Sequence, residues 1–141
     1  MQDRSDRVAP FLLARNRSVN PHALNGRIVP DVAADAAGGT GYFMVAQNTP
    51  QVSGGTSAAT PLWAALIARL LAAGKQVGFF TPLLYQPNPK TSGKPLGAVA
   101  CNDITEGNNI TAKGGGYSAS PGYDAVTGWG TPDGGQFLKH L

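Results

Sequence analysis

The sequence predicts a compact, loop-rich α/β chain, and three observations carry that expectation. Hydrophobic residues fill 42% of the 141 positions and charged residues only 13%, which excludes a solvated, disordered chain. The 19 glycines and 11 prolines demand many turns and argue against a helical bundle. Short runs of strand-forming residues precede one long apolar run bounded by glycines, so strands lead into a helix. The length suits one core, or part of one, and not two ordinary domains.

In chain order, residues 1–26 form a poorly defined N-terminal segment, with a short helix expected around Val8 to Arg17 and turns at Asn20-Pro21-His22 and Asn25-Gly26. Ile28 to Ala33 reads as a buried strand. Gly41 to Ala46 and Gln51 to Ser53 read as two short strands joined by a turn over Gln47 to Pro50. From Ser57 to about Ala73, Leu62, Trp63, Leu66, Ile67, Leu70 and Leu71 put apolar side chains almost all round a helix, the pattern of one buried inside a larger protein, and Gly74 ends it. A helical turn follows at Pro82 to Gln86, then a surface loop over 87–100. Residues 101–132 are glycine-rich with little periodicity and few apolar side chains, so they read as loop held by something other than a hydrophobic face. Phe137, Leu138 and Leu141 mark a terminal helix.

The chemistry concentrates in Ser53-Gly54-Gly55-Thr56-Ser57-Ala58-Ala59-Thr60-Pro61. Two glycines let the backbone turn tightly and approach a substrate. The helix starting near Ser57 aims free N–H groups and its positive dipole end at the same spot, which favours an anion. A serine nucleophile with a site for an oxyanion suits acyl transfer. N-capping by Thr56 or Ser57 alone would generate the same local pattern.

Gly54 to Leu70, preceded by Arg27-Ile28-Val29-Pro30-Asp31-Val32-Ala33-Ala34-Asp35, resembles the nucleophile region of the sedolisin (serine-carboxyl peptidase, kumamolisin-like) family. Phe79 to Tyr85, Asn102 to Asn109 and Pro121 to Pro132 continue the family's pattern in the same order. The resemblance implies that residues 27–141 are the C-terminal portion of a subtilisin-like parallel-sheet domain. It also implies an endopeptidase working on peptides or proteins at acid pH, with Ser57 as nucleophile. In that family a Glu and an Asp on an N-terminal helix replace the histidine base, and a further Asp helps hold the oxyanion. Carboxyl groups do this only where some stay protonated.

Those partners are absent from this sequence: Glu106 is its sole glutamate, and it sits in a downstream loop. The expectation is therefore a portion of a peptidase that is inactive by itself, whose N-terminal half is lost or supplied separately. The alternative is a non-catalytic calcium-binding remnant or an assembly subunit of a split peptidase. His22 and His140 stand in no context that a His-based triad requires.

The resemblance further implies a structural calcium site. Its ligands would be the Asp103 carboxylate, the carbonyls of Ile104, Ser120 and Gly122, and the Asp124 carboxylate, an all-oxygen set suited to Ca2+. Ser120 stands where the family has glycine. Tyr117, Tyr123 and Trp129 read as packing under glycine-rich loops or as substrate platforms.

Other classes find little support. The net charge of +3 includes an arginine concentration at Arg4, Arg7, Arg15, Arg17 and Arg27, but no zinc pattern, aromatic interleaving or helix-turn-helix signal accompanies it, so no nucleic-acid partner is expected. Lys113 beside Gly114 to Gly116 lacks the strand–helix setting of a phosphate loop. The apolar run from Leu62 to Ala73 is interrupted by Arg69 and falls short of the roughly 20 residues that span a bilayer, so no membrane partner is expected. The polar start shows no secretory signal, and the resemblance implies a secreted or extracytoplasmic parent. Cys101 has no second cysteine to pair with and is expected to pack.

Overall fold

The computed structural model describes residues 28–141. The expected helix at Val8 to Arg17, His22 and the arginine concentration of the N-terminal segment lie outside the described residues.

Strands β1 (Tyr42–Ala46) and β2 (Thr49–Ser53) form an antiparallel hairpin in which Tyr42 faces Ser53 and Ala46 faces Thr49. Its two-residue turn places Gln47 and Asn48 at φ 51° and 60°, the left-handed pair that matches strand twist. The turn is thus tighter than the sequence suggests.

Helix α1 (Thr56–Ala72) follows at once. Ala73 and Gly74 close it through N–H bonds to Arg69 and Leu71 carbonyls, and Gly74 takes φ 77°. Trp63, Leu66, Ile67 and Leu70 repeat at helical spacing and face the core, where Trp63 and Leu70 are buried. The rest of the helix surface stays open among the described residues, so this chain covers only one face of a helix whose sequence is apolar nearly all round.

Short helix α2 (Phe80–Leu83) overlaps the expected turn but starts two residues earlier. Residues 87–100 differ from the expected surface loop. A 3-10 turn at Pro89–Thr91 and helix α3 (Gly97–Ala100) occupy them, with Leu96 and Ala100 in the core. Elements of three and four residues are too short to show a hydrophobic period, and the flanking Pro, Lys and Gly mask the buried positions. Strands β3 (Cys101–Asn102) and β4 (Thr131–Pro132) pair antiparallel, and helix α4 (Gly134–His140) ends the chain with Asp133 Oδ1 accepting from Gln136 N–H at 3.0 Å.

Two aromatic clusters organise the core. Trp63, Phe80 and Phe137 meet with ring centroids 5.5 to 6.1 Å apart, joining α1, α2 and α4. Tyr85, Tyr123 and Trp129 meet at 5.5 to 5.8 Å. Tyr123 and Trp129 are buried, which places them as packing residues. They also show that loop 101–132 draws on a hydrophobic anchor that the sequence reading did not expect.

The expected strand at Ile28 to Ala33 is not one. It is extended chain holding two bonds to the facing loop, Trp129 N–H to Asp31 C=O and Ala33 N–H to Gly130 C=O, each 2.9 Å. A ladder cannot extend further because Pro30 lacks a donor and the facing backbone turns through Gly128 and Gly130 at φ 64° and 92°.

Candidate active site

Ser57 is the second residue of α1 and is exposed. Gly55 caps the helix at φ 89°, a backbone state open to glycine, and its C=O accepts from Ala58 and Ala59 N–H at 3.0 and 3.3 Å. The N–H groups of Thr56 and Ser57 are left at the open helix end, beside the Ser57 hydroxyl. No side chain caps this helix, so Thr56 and Ser57 are not there as hydrogen-bonding caps.

The turn is held from below by the extended segment. Gly55 N–H donates to Ala36 C=O at 2.6 Å, and a Cβ on Gly54 would stand 2.7 Å from that same oxygen, so only glycine fits there. About two helical turns further on, Trp63 Nε1 donates to Ala33 C=O at 3.0 Å. Asp31, on the same segment, accepts from the Tyr85 hydroxyl at 2.5 Å. Burial first, and that bond second, push the Tyr85 hydroxyl above its ordinary range. The turn that precedes Ser57 is thus held by backbone bonds and its helix by an indole, while the segment beneath is held by a tyrosine–aspartate contact. Sequence reasoning gave Trp63 a place in an apolar helix but assigned no hydrogen-bonding role to Asp31, Trp63 or Tyr85; their partners lie 30 and 54 residues away, beyond any local pattern.

Of the loop residues expected to bind calcium, Asp103 meets Gly122 and Asp124 meets Ser120. Gly122 N–H donates to Asp103 Oδ2 at 2.7 Å, joining the two halves of the motif. Asp124 is 1% exposed and accepts from Ser120 N–H through Oδ2, and from Val126 N–H, Thr127 N–H and the Thr127 hydroxyl through Oδ1. Among the described residues no three His, Cys, Asp or Glu side chains gather, so a cation held here would depend on carbonyl oxygens. Both carboxylates thus accept backbone N–H groups of the same loop, Asp103 from Gly122 and Asp124 from Ser120.

Cys101 is free and half-buried, as packing requires. Burial pushes its thiol from 9.0 up to about 12. Both raised groups, Cys101 and Tyr85, retain their protons longer in the folded chain than in the unfolded one, so their contribution is complete at neutral pH and falls once unfolded thiols and phenols ionise. Stability against urea should therefore decline as pH rises from about 9 toward 12. Cys101→Ala should remove its share of that slope, and a slope unchanged by the substitution would place the effect on Tyr85 alone.

Comparison with known proteins places this geometry. No family model matches the chain. Kumamolisin of Bacillus sp. (strain MN-32) is 46% identical over 126 residues, covering 88% of this chain and 21% of that protein. Human tripeptidyl-peptidase 1 is 35% identical over 129 residues, covering 83% and 21%. The structure of Pseudomonas sedolisin, a serine-carboxyl proteinase complexed with two molecules of pseudo-iodotyrostatin, matches with TM-score 0.60 at 34% identity, covering 78% of this chain and 28% of that one. The fold is accordingly part of a subtilisin-like α/β domain, although the strands paired among the described residues are antiparallel. The chain belongs to the sedolisin family of serine-carboxyl peptidases and matches its C-terminal region. It spans about a fifth of the length of the curated relatives it matches.

Proposed function

We propose that this chain is the nucleophile-bearing part of a serine-carboxyl endopeptidase that acts on peptides at acid pH, with Ser57 as nucleophile. The observation that carries the reading is the exposed Ser57 hydroxyl beside the open N–H groups of α1, on a turn that glycine alone fits, in a chain of this family. The Ser57 Oγ attacks the scissile carbonyl, its proton passes to a carboxylate, the carbonyl oxygen gathers charge, and the amine leaves with a proton to give an acyl-enzyme. The Ser57 N–H and the helix dipole favour that oxyanion. The carboxyl groups belong to chain beyond this sequence, whose sole glutamate is Glu106. The isolated chain is therefore inactive, and the site of action is extracytoplasmic, as for a secreted peptidase.

The experiment is an acid quench of the completed catalytic domain during turnover of a peptide. Mass spectrometry should find the acyl group on the peptide that contains Ser57. Acyl mass elsewhere overturns Ser57 as nucleophile, whereas peptide cleavage by the isolated chain that Ser57→Ala removes overturns only its inactivity by itself. No acyl-enzyme and no cleavage in the completed domain would favour the non-catalytic calcium-binding alternative.

Calcium held by Asp103, the carbonyls of Ile104, Ser120 and Gly122, and Asp124 belongs to the same proposal, as a structural ion that takes no part in the chemistry. Binding only the folded state at a hundredfold excess over Kd, it stabilises by about 2.7 kcal/mol. A chelator should lower the melting temperature of the wild-type chain and leave that of Asp103→Ala unmoved. Identical wild-type midpoints with and without chelator remove calcium from the account.

A further inference from the structure

The hairpin presents an apolar face that nothing in the described chain covers. Directly opposed residues of an antiparallel pair share a face. Phe43 opposes Val52 and Val45 opposes Pro50, so these four side chains form one surface, while Tyr42, Met44, Gln51 and Ser53 share the other. Phe43 is 73% exposed, Val45 63% and Val52 51%, and Pro50 is exposed as well. A solvent-facing sheet surface ordinarily carries polar side chains, and this one carries none. Among the described residues the sheet has only two strands, so both outer edges are unpaired there, and a two-stranded ribbon is marginal by itself in water. Helix α1 shows the same imbalance: on the two flanks of its core face, Leu62 and Leu71 are 37% and 52% exposed.

We propose that the Phe43, Val45, Pro50 and Val52 face is the docking surface for a polypeptide that supplies the remainder of a sedolisin-type catalytic domain. This rests on the peptidase reading above and names the partner of that site. Length argues for this occupant: the chain covers 28% of the matched sedolisin chain and 21% of kumamolisin, so related folds surround this region with several times its own length. Position argues for it as well. Strand β2 ends at Ser53, and Gly54 and Gly55 alone separate it from α1, so a polypeptide seated on the hairpin lies next to the turn that needs carboxyl groups. A second copy of this chain would bring no glutamate other than Glu106.

The test mixes the full chain with the separately produced part of the kumamolisin catalytic domain that precedes the matched region, and follows association by sedimentation. Association should occur, and hydrogen exchange across β1 and β2 should slow on mixing. The double substitution Phe43→Lys with Val45→Lys, at positions already exposed, should weaken association at least about tenfold, as lost interface anchors do. Gln51→Lys on the opposite face should leave it unchanged. Ser57→Ala should associate like wild type, so a failed nucleophile assignment and a failed docking surface give different results. Absence of association, association indifferent to the lysine pair, or self-association of the chain that the lysine pair abolishes each overturns the proposal.

Discussion

Asp124→Ala should destabilise the chain by about 3 kcal/mol or more, because it strips the acceptor from four donors at once. The carboxylate is 1% exposed and accepts from Ser120, Val126 and Thr127 N–H groups and from the Thr127 hydroxyl. The hydroxyl can rotate to another acceptor, but the N–H groups are fixed by the turn. Each buried donor left unpaired costs roughly 1–3 kcal/mol, with some relief where water reaches the partly exposed backbone. Against a total stability of roughly 5–15 kcal/mol this is a severe loss, on the order of 10 °C in melting temperature. Asp124→Asn should lose less: one oxygen still accepts from Val126 and Thr127, while the amide nitrogen turns a donor toward Ser120 N–H. The loss in Asp124→Ala should persist in excess chelator, since these donors belong to the protein. Urea unfolding that shows a change below about 1 kcal/mol would mean that the loop is held by its aromatic anchor, Tyr123 and Trp129, alone.

The contrast between that anchor and the sequence reading shows where legibility stopped. Helix α1 could be read because seventeen residues of apolar repeat run between glycines, and the hairpin because its strands flank an obvious turn. The place of Ser57 at the start of a helix could be read because a short contiguous string carries the glycines and the apolar run. The loop carboxylates could be named from a motif, yet their bonding partners could not. Asp124 contacts backbone two to four residues away, but which N–H groups point at it depends on turns that several sequences would permit.

The supports of the nucleophile turn were hidden for a different reason. The Ala36 carbonyl, the Trp63 indole and the Asp31–Tyr85 pair act across long separations, and no periodicity reports a bond between residues 54 apart. The expected strand at Ile28 to Ala33 failed similarly: its composition suits a strand, and its fate was decided by the glycines that face it. Apolar content all round α1 gives no preferred side, and that this chain covers the face of Trp63, Leu66, Ile67 and Leu70 is a tertiary fact.

Ser57→Ala, placed in the completed catalytic domain, should lower kcat for peptide cleavage by about 10^4-fold or more with KM little changed, since a removed nucleophile eliminates the covalent route and leaves only binding and oxyanion stabilisation. The residue is exposed and makes no side-chain cap, so its hydroxyl contributes little to folding, and alanine suits the first turn of a helix. Melting temperature should therefore stay within a degree or two of wild type. That separation of activity from stability is the discriminating result, because a serine serving only to start the helix would lose stability on substitution and spare the rate. Thr56→Ala provides the comparison on the same turn: it removes the neighbouring hydroxyl from the same helix end and should keep most of the rate. Gly54→Ala should behave differently from both. Its Cβ would press on the Ala36 carbonyl, so the turn must shift, and with it the Ser57 oxygen. Activity should fall together with stability there, and a Gly54→Ala enzyme of full activity would show that the bond from Gly55 to Ala36 does not position the nucleophile.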